Sequence, residues 1–185
     1  MPISIVATVG SASANSYITE AEFIAYAATR LNVPTGTTVT GAICTETEKA
    51  ALIEAQRELT ALRWKAGRVD SVQALAWPRI YAEDPDAPSL LGVVGATDFW
   101  FEETEVPQRV KDAQCELALE FLKAGTTDLA AADPNAGVIE KTIDVLTTRW
   151  QPYARPEGLG RFPRIVGWIG PLLDGGAGQL EIVRS

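Results

Sequence analysis

The pattern of apolar and polar positions predicts four helices joined by irregular and short extended stretches. The first begins at Thr19, where Thr19 and Glu22 stand in the Thr-x-x-Glu spacing that lets each side chain satisfy a backbone N–H of the other. Ile24, Ala27, Ala28 and Leu31 follow at i, i+3, i+4 and i+7, one apolar stripe. The same signal recurs at Thr45 and Glu48. It precedes Leu52, Ala55, Leu59 and Leu62 on one face and Glu54, Arg57 and Glu58 on the other. That pattern runs to about Lys65, with Gly67 suited to a left-handed cap. A third helix starts near Pro107, which fits the first helical position. Its stripe is Val110, Ala113, Leu117 and Phe121, and Gly125 closes it. A short fourth helix fits residues 162–173, with Pro163 near its start, although Gly167 and Pro171 work against it.

Between these stretches, residues 3–9 (Ile-Ser-Ile-Val-Ala-Thr-Val) read as β-like, and residues 10–16 and 32–41 as loops. Residues 68–79 have little period and end in Ala-Trp-Pro-Arg. Residues 126–137 read as loop, and 138–150 are rich in Ile, Val and Thr, enough for one or two strands. Gly-Gly-Ala-Gly at 175–178 makes a flexible joint before a strand-like 180–183. The expected fold is mainly α: a bundle of three to four helices with a minor β hairpin or strand element and extended N- and C-terminal arms. A helical domain spans 1–174, with a β-like insert at about 138–150, and 175–185 form a flexible C-terminal arm.

Composition narrows the chemistry. The chain of 185 residues has no histidine, which removes Ser-His and Cys-His catalysis, His-ligated zinc and histidine pH switching. Cys44 and Cys115 form no C-x-x-C pair, and the helical setting of Cys115 favours a buried free thiol, with one disulfide left open. The start Met-Pro-Ile-Ser-Ile-Val lacks the basic region of a secretory signal, and no apolar run nears the ~20 residues that span a bilayer. The expectation is a cytoplasmic protein with no membrane partner. Phosphate-cradling loops and G-x-S-x-G elbows are absent. Asp84-Pro85-Asp86 is a poor calcium-loop match, and Glu102-Glu103 reads as solvated surface. No catalytic residue, cofactor or metal ligand is expected. With 16 Lys+Arg against 24 Asp+Glu, a net charge of -8 argues against a grip on nucleic-acid phosphates.

Three features point instead to protein contacts. Phe99-Trp100-Phe101 sits within the connection 80–108, which carries seven acids and no base between Ile80 and Gln108. It either folds back on the core or anchors another subunit. Arg149, Arg155, Arg161 and Arg164 face only Glu157 across positions 149–164. They and the acidic connection are either unrelated solvated faces or complementary surfaces of neighbouring copies. The glycine-hinged tail, with Leu180 and Ile182, is either frayed or an arm that adds to a partner.

Three blocks also carry a family likeness. Ala-Asn-Ser-Tyr-Ile-Thr (14–19), including Asn15, Ser16 and Tyr17, precedes a helix with Tyr26. The helix 50–62 leads to Trp64, Gly67 and the run Gln73-Ala74-Leu75-Ala76-Trp77-Pro78-Arg79. Val106-Pro107-Gln108-Arg109-Val110-Lys111-Asp112-Ala113 then runs into Glu116-Leu117-Ala118-Leu119. Over roughly residues 14–125 the chain resembles the tailed-phage head–tail connector, or adaptor, family, whose members often carry the label of DnaT-like single-stranded DNA-binding proteins. The resemblance implies a virion component at the neck, made in the host cytoplasm. Its copies would form a ring, usually twelvefold, under the portal protein. That ring would extend the DNA channel, offer a platform to the tail or next neck protein, and let double-stranded DNA pass without specific binding. A single-strand binder would need a basic groove with stacking aromatics, and no basic run accompanies the five tryptophans. Structural roles follow for the matching residues: Trp64 and Trp77 in the core, Pro78 ending an element, Arg79 on a carboxylate, and Asn15 and Ser16 in turn hydrogen bonds.

Overall fold

A computed structural model describes residues 2–31, 33–87, 99–125, 140–143, 146–149 and 158–175. The described residues form four α-helices: α1 (Glu20–Ala28), α2 (Glu46–Thr60), α3 (Gln108–Ala124) and α4 (Pro163–Ile169). Two antiparallel ladders accompany them: β1 (Gly67–Arg68) with β2 (Arg79–Ile80), and β3 (Glu140–Ile143) with β4 (Leu146–Arg149). The fold is mainly α, as the periodicity predicts, and the Ile/Val/Thr-rich stretch forms a hairpin with Glu140 opposite Arg149.

Both predicted capping boxes form. Thr19 and Thr45 each accept from the backbone N–H three residues on, while Glu22 and Glu48 reach back to the cap N–H. α3 begins at Gln108 with Pro107 as its N-cap, one position later than expected, and ends at Gly125 with φ 68°. Pro163 opens α4 at its first turn.

Helix α3 is the axis of the domain and packs against α1, α2 and α4. Its stripe Val110, Ala113, Leu117 and Phe121 is buried, as are Leu52, Ala55 and Leu59 of α2, and Ile165 and Ile169 of α4. Burying a Leu, Ile or Phe side chain is worth about 1.5–3 kcal/mol, so this interface supplies most of the cohesion.

Four local expectations are corrected. α1 buries Phe23, Ile24 and Ala27, while Ala28 is exposed and Leu31 fully so. The helix stops at Ala28 because the Thr29 hydroxyl and N–H both turn back to the Tyr26 carbonyl, so Leu31 lies beyond its last turn. α2 stops at Thr60 rather than Lys65, and Gly67 is not its cap but the first residue of β1. The left-handed position is Ala66 (φ 62°). Residues 3–9 join no ladder. They are held by Asn15, whose Oδ1 accepts from Val6 N–H and whose Nδ2 donates to Ser4 C=O, both at 2.8 Å. One asparagine thus does locally what a partner strand would have done.

Past α4 the chain returns to the end of α2. Lys65 N–H donates to Leu172 C=O and Asp174 N–H to Arg63 C=O, each at 2.9 Å, and Trp64 bridges Leu173. The predicted arm beyond Gly175, with Leu180 and Ile182, lies outside the described residues.

Candidate functional site

Residues that carry the family likeness build a buried polar scaffold around Gln114, which the likeness does not include. Gln114, fully buried on α3, donates through Nε2 to Ser16 Oγ and Leu52 C=O, and accepts from Tyr17 N–H, all at 2.9 Å. Ser16 Oγ donates onward to Ile18 C=O at 2.7 Å. The Tyr17 hydroxyl accepts from Ala76 N–H at 3.2 Å, and burial raises its pKa. Gln73 donates to Leu75 C=O (2.9 Å) and Pro78 C=O (3.1 Å) and accepts from Asp70 N–H (3.0 Å), pinning the loop that leads to the cis Trp77–Pro78 bond. A buried donor or acceptor without a partner costs about 1–3 kcal/mol, so these contacts fix one arrangement of helices and loops.

Arg79 is the centre of that loop, and its partners differ from the expected carboxylate. Its Nε donates to Lys65 C=O at 2.6 Å, Nη1 to Ala76 C=O at 2.9 Å, and Nη2 to the carbonyls of Trp64 and Ala66. Five N–H groups in a fixed fork suit a ring of carbonyls that a carboxylate could not fill. Burial, with Arg68 nearby, lowers its pKa.

Phe99-Trp100-Phe101 runs antiparallel to residues 82–84. Phe101 N–H donates to Ala82 C=O at 2.9 Å, and Asp84 N–H to Phe99 C=O at 2.8 Å. The extended backbone sends neighbouring side chains to opposite sides. Phe101 packs on the core, edge-to-face with Trp77 at 5.8 Å, and Trp77 meets Trp64 in the same way at 5.7 Å. Trp100 faces outward, 45% exposed, and meets Tyr81, 66% exposed, edge-to-face at 5.9 Å. Phe101 thus folds back on the core, while Trp100 stays in solvent. The two exposed rings border a hollow of about 420 Å³ lined also by Lys65, Ile80 and Glu83.

A second hollow, of about 550 Å³, opens between the end of α1, the middle of α3 and the start of α4. Glu116 is its electrostatic centre. Arg30 Nη2 donates to both of its carboxylate oxygens (2.7 and 2.8 Å), Arg164 Nη1 to Oε1 (2.7 Å), and the Tyr26 hydroxyl to Oε2 (2.9 Å). Burial and the adjoining carboxylate hold the Tyr26 phenol well above its ordinary pKa. Arg30 also lies over the Tyr26 ring at 5.4 Å. Among the predicted arginines, Arg164 therefore joins this cluster. Arg149 ends β4, Arg161 ends the 3₁₀ turn 158–161, and Arg155 lies outside the described residues. The sequence reading missed Arg30, Glu116, Leu31 and Tyr81 as surface features. Arg30 meets Tyr26 from just past the end of α1, a placement that no local spacing signals.

Every lysine and arginine whose side chain is described has a partner within the chain. Arg30, Lys49, Arg57, Arg63, Arg109, Lys111, Lys123 and Arg164 sit on carboxylates. Lys65, Arg68 and Arg79 donate to backbone carbonyls. Both cysteines are free and buried. Burial, aided by Glu48 and Glu20, pushes the Cys44 thiol up to about 12, and burial holds Cys115 high as well, so neither is poised as a thiolate nucleophile. Among the described residues no cluster of Cys, Asp and Glu is arranged to hold a metal, and no helix is long and apolar enough to cross a membrane.

A family model described as "Putative DnaT-like ssDNA binding protein" matches residues 1–185. The chain belongs to that family. No curated protein and no solved structure matches it.

Proposed function

We propose that this member of the DnaT-like family is a non-enzymatic structural subunit of a phage neck, a head–tail connector. In this reading its copies form a ring, twelve by the resemblance, beneath the portal protein. The ring extends the DNA channel and receives the tail or the next neck protein. The observation that carries the reading is the commitment of the described cations. Phosphate binding draws its free energy from Lys and Arg that release counterions. Here those side chains already hold carboxylates and carbonyls of their own chain, on a protein of net charge -8. A surface of that sign repels passing DNA rather than gripping it, which suits a channel wall. The sequence blocks at 14–19, 50–79 and 106–119 support the same role, since their side chains serve the scaffold.

The test mixes the purified chain with its portal protein and measures the mass of the product. A ring-sized complex at micromolar concentration is expected, and two components that stay separate overturn the reading.

A second reading, single-stranded DNA binding, is favoured by the family description and by one feature, the exposed Trp100 and Tyr81 rings near Lys65. Bases stack on such rings at about 1–3 kcal/mol each. Titration of a labelled oligonucleotide over a salt series separates the two. Tight binding that weakens steeply with salt selects this second reading, whereas micromolar portal binding with no oligonucleotide response selects the connector.

A further inference from the structure

We propose that the Glu116 hollow is a docking site for the Tyr81–Trp100 edge of a second copy of this chain. The inference rests on the assembly proposed above and names the surfaces that would meet. Arg30 and Arg164 converge on one partly buried carboxylate, Glu116, and with the Lys123–Glu120 pair on the same lining the hollow keeps one net positive charge. Each guanidinium has five N–H donors, and its bonds among the described residues occupy only part of them. Arg164 is more than half exposed, so its remaining donors are open to solvent. The rim carries Leu31, which is fully exposed, and the lining includes the apolar side chains of Leu119 and Ile165. The hollow therefore offers cationic donors beside an apolar ledge.

The edge around Trp100 has the same apolar character and, with Lys65 against Glu83, Glu102 and Glu103, a net negative charge. Trp100 and Tyr81 hold their rings edge-to-face in solvent, and Glu83, Glu102 and Glu103 are exposed beside them in the chain. Tyr81 adopts φ 57°, a left-handed conformation that costs a side-chain-bearing residue on the order of 1–3 kcal/mol and persists only where the surrounding structure fixes it. Large aromatics dominate interface energetics when they enter a desolvated pocket, and matched charges at the rim guide the approach. On a protein whose copies repel one another overall, a local pairing of opposite sign selects this contact above others. The two surfaces share no residue, so one molecule can use both. Such a head-to-tail contact repeats from copy to copy and closes into a ring when its rotation permits.

Sedimentation of the full chain up to millimolar concentration tests this, with two single variants at exposed positions. Leu31→Asp spoils the hollow and Trp100→Ser spoils the edge, and unchanged circular dichroism and melting confirm that both fold. The wild type is expected to form oligomers that shrink as salt rises, and each variant alone to run as a monomer. An equimolar mixture should give dimers, because one intact edge still meets one intact hollow. A monomeric wild type overturns the inference, as do oligomers that survive either substitution or a mixture that stays monomeric. Portal binding is read separately on the same samples. Its persistence when self-association fails discards this contact and keeps the connector reading, and its absence discards the connector.

Discussion

The two sides of one short backbone pairing, residues 82–84 against 99–101, have opposite fates. On the inner side Phe101, Trp77 and Trp64 form a chain of edge-to-face contacts inside the core. On the outer side Trp100 and Tyr81 form a geometrically similar pair that remains in solvent. Aromatic content therefore does not decide which rings are buried here, but the parity of the position does. The inner set is surrounded by polar groups that are almost all satisfied, Arg79 on its four carbonyls and Trp64 Nε1 on Leu59 C=O at 2.7 Å. Trp77 Nε1 is the one buried side-chain polar atom without a hydrogen-bond partner among the described residues.

The largest test of this contrast is Trp77→Ala. Removing a buried indole takes away its transfer free energy and leaves a cavity between Trp64 and Phe101, at a cost of about 3–5 kcal/mol. Chemical denaturation should show the midpoint falling sharply. Trp77→Phe should cost distinctly less, because it keeps an aromatic ring and removes the unpartnered N–H.

Arg79→Met comes next, at about 3 kcal/mol. It leaves the carbonyls of Trp64, Lys65, Ala66 and Ala76 without their donor, two or more of them buried. Arg79→Lys should recover only part of the loss, since an ammonium has three donors and no planar fork. Equal stability of the lysine variant and the wild type, read by the same denaturation, would show that charge rather than the fork holds the loop.

The inner scaffold was only partly legible in the sequence. The helices were visible because capping boxes and 3.6-residue stripes are local signals. Thr19–Glu22 and Thr45–Glu48 declare their helix starts within four residues. The carbonyl ring around Arg79 was not visible, because it collects backbone oxygens from positions 64–66 and 76, which only the folded loop brings together. The Glu116 hollow escaped for the same reason: Arg30, Glu116 and Arg164 are far apart in sequence and meet only when α1, α3 and α4 pack. Leu31 was misplaced because a stripe of apolar residues does not reveal that Thr29 ends the helix first. Phe99-Trp100-Phe101 read only as part of a long connection, because its extended backbone and the ring that faces inward are set by pairing with 82–84, which lies far along the chain.

Glu48 gives a smaller and pH-dependent effect. Its carboxylate is buried, which by itself would raise its pKa. Four hydrogen bonds override that and lower it: from the N–H and hydroxyl of Thr38, and from those of Thr45, the latter at 2.6 and 2.9 Å. A depressed carboxylate pKa means the unfolded chain binds the proton more readily. The stabilisation is therefore present above the ordinary value of 4.5 and is lost as pH falls through the lower, folded value. Glu48→Gln should cost about 1–2 kcal/mol at neutral pH and flatten the acid limb of the stability curve. Parallel acid limbs for variant and wild type would assign that limb to other carboxylates, such as Glu22, whose pKa is also lowered.

Trp100→Ser should change stability least, and it isolates the outer side of the comparison. The ring is 45% exposed and its aromatic neighbour Tyr81 is 66% exposed, so truncation opens no enclosed cavity. The bonds that hold the segment, Phe101 N–H to Ala82 C=O and Asp84 N–H to Phe99 C=O, are backbone contacts that serine leaves in place. The expected change is within about 0.5 kcal/mol, typical of a surface substitution away from caps and buried networks. A loss near that of Trp77→Ala would mean that the outer pair is part of the core's support and not a surface held ready for a partner. A near-zero loss shows that the Trp100 ring is not needed for folding, which leaves it free for contact with another surface.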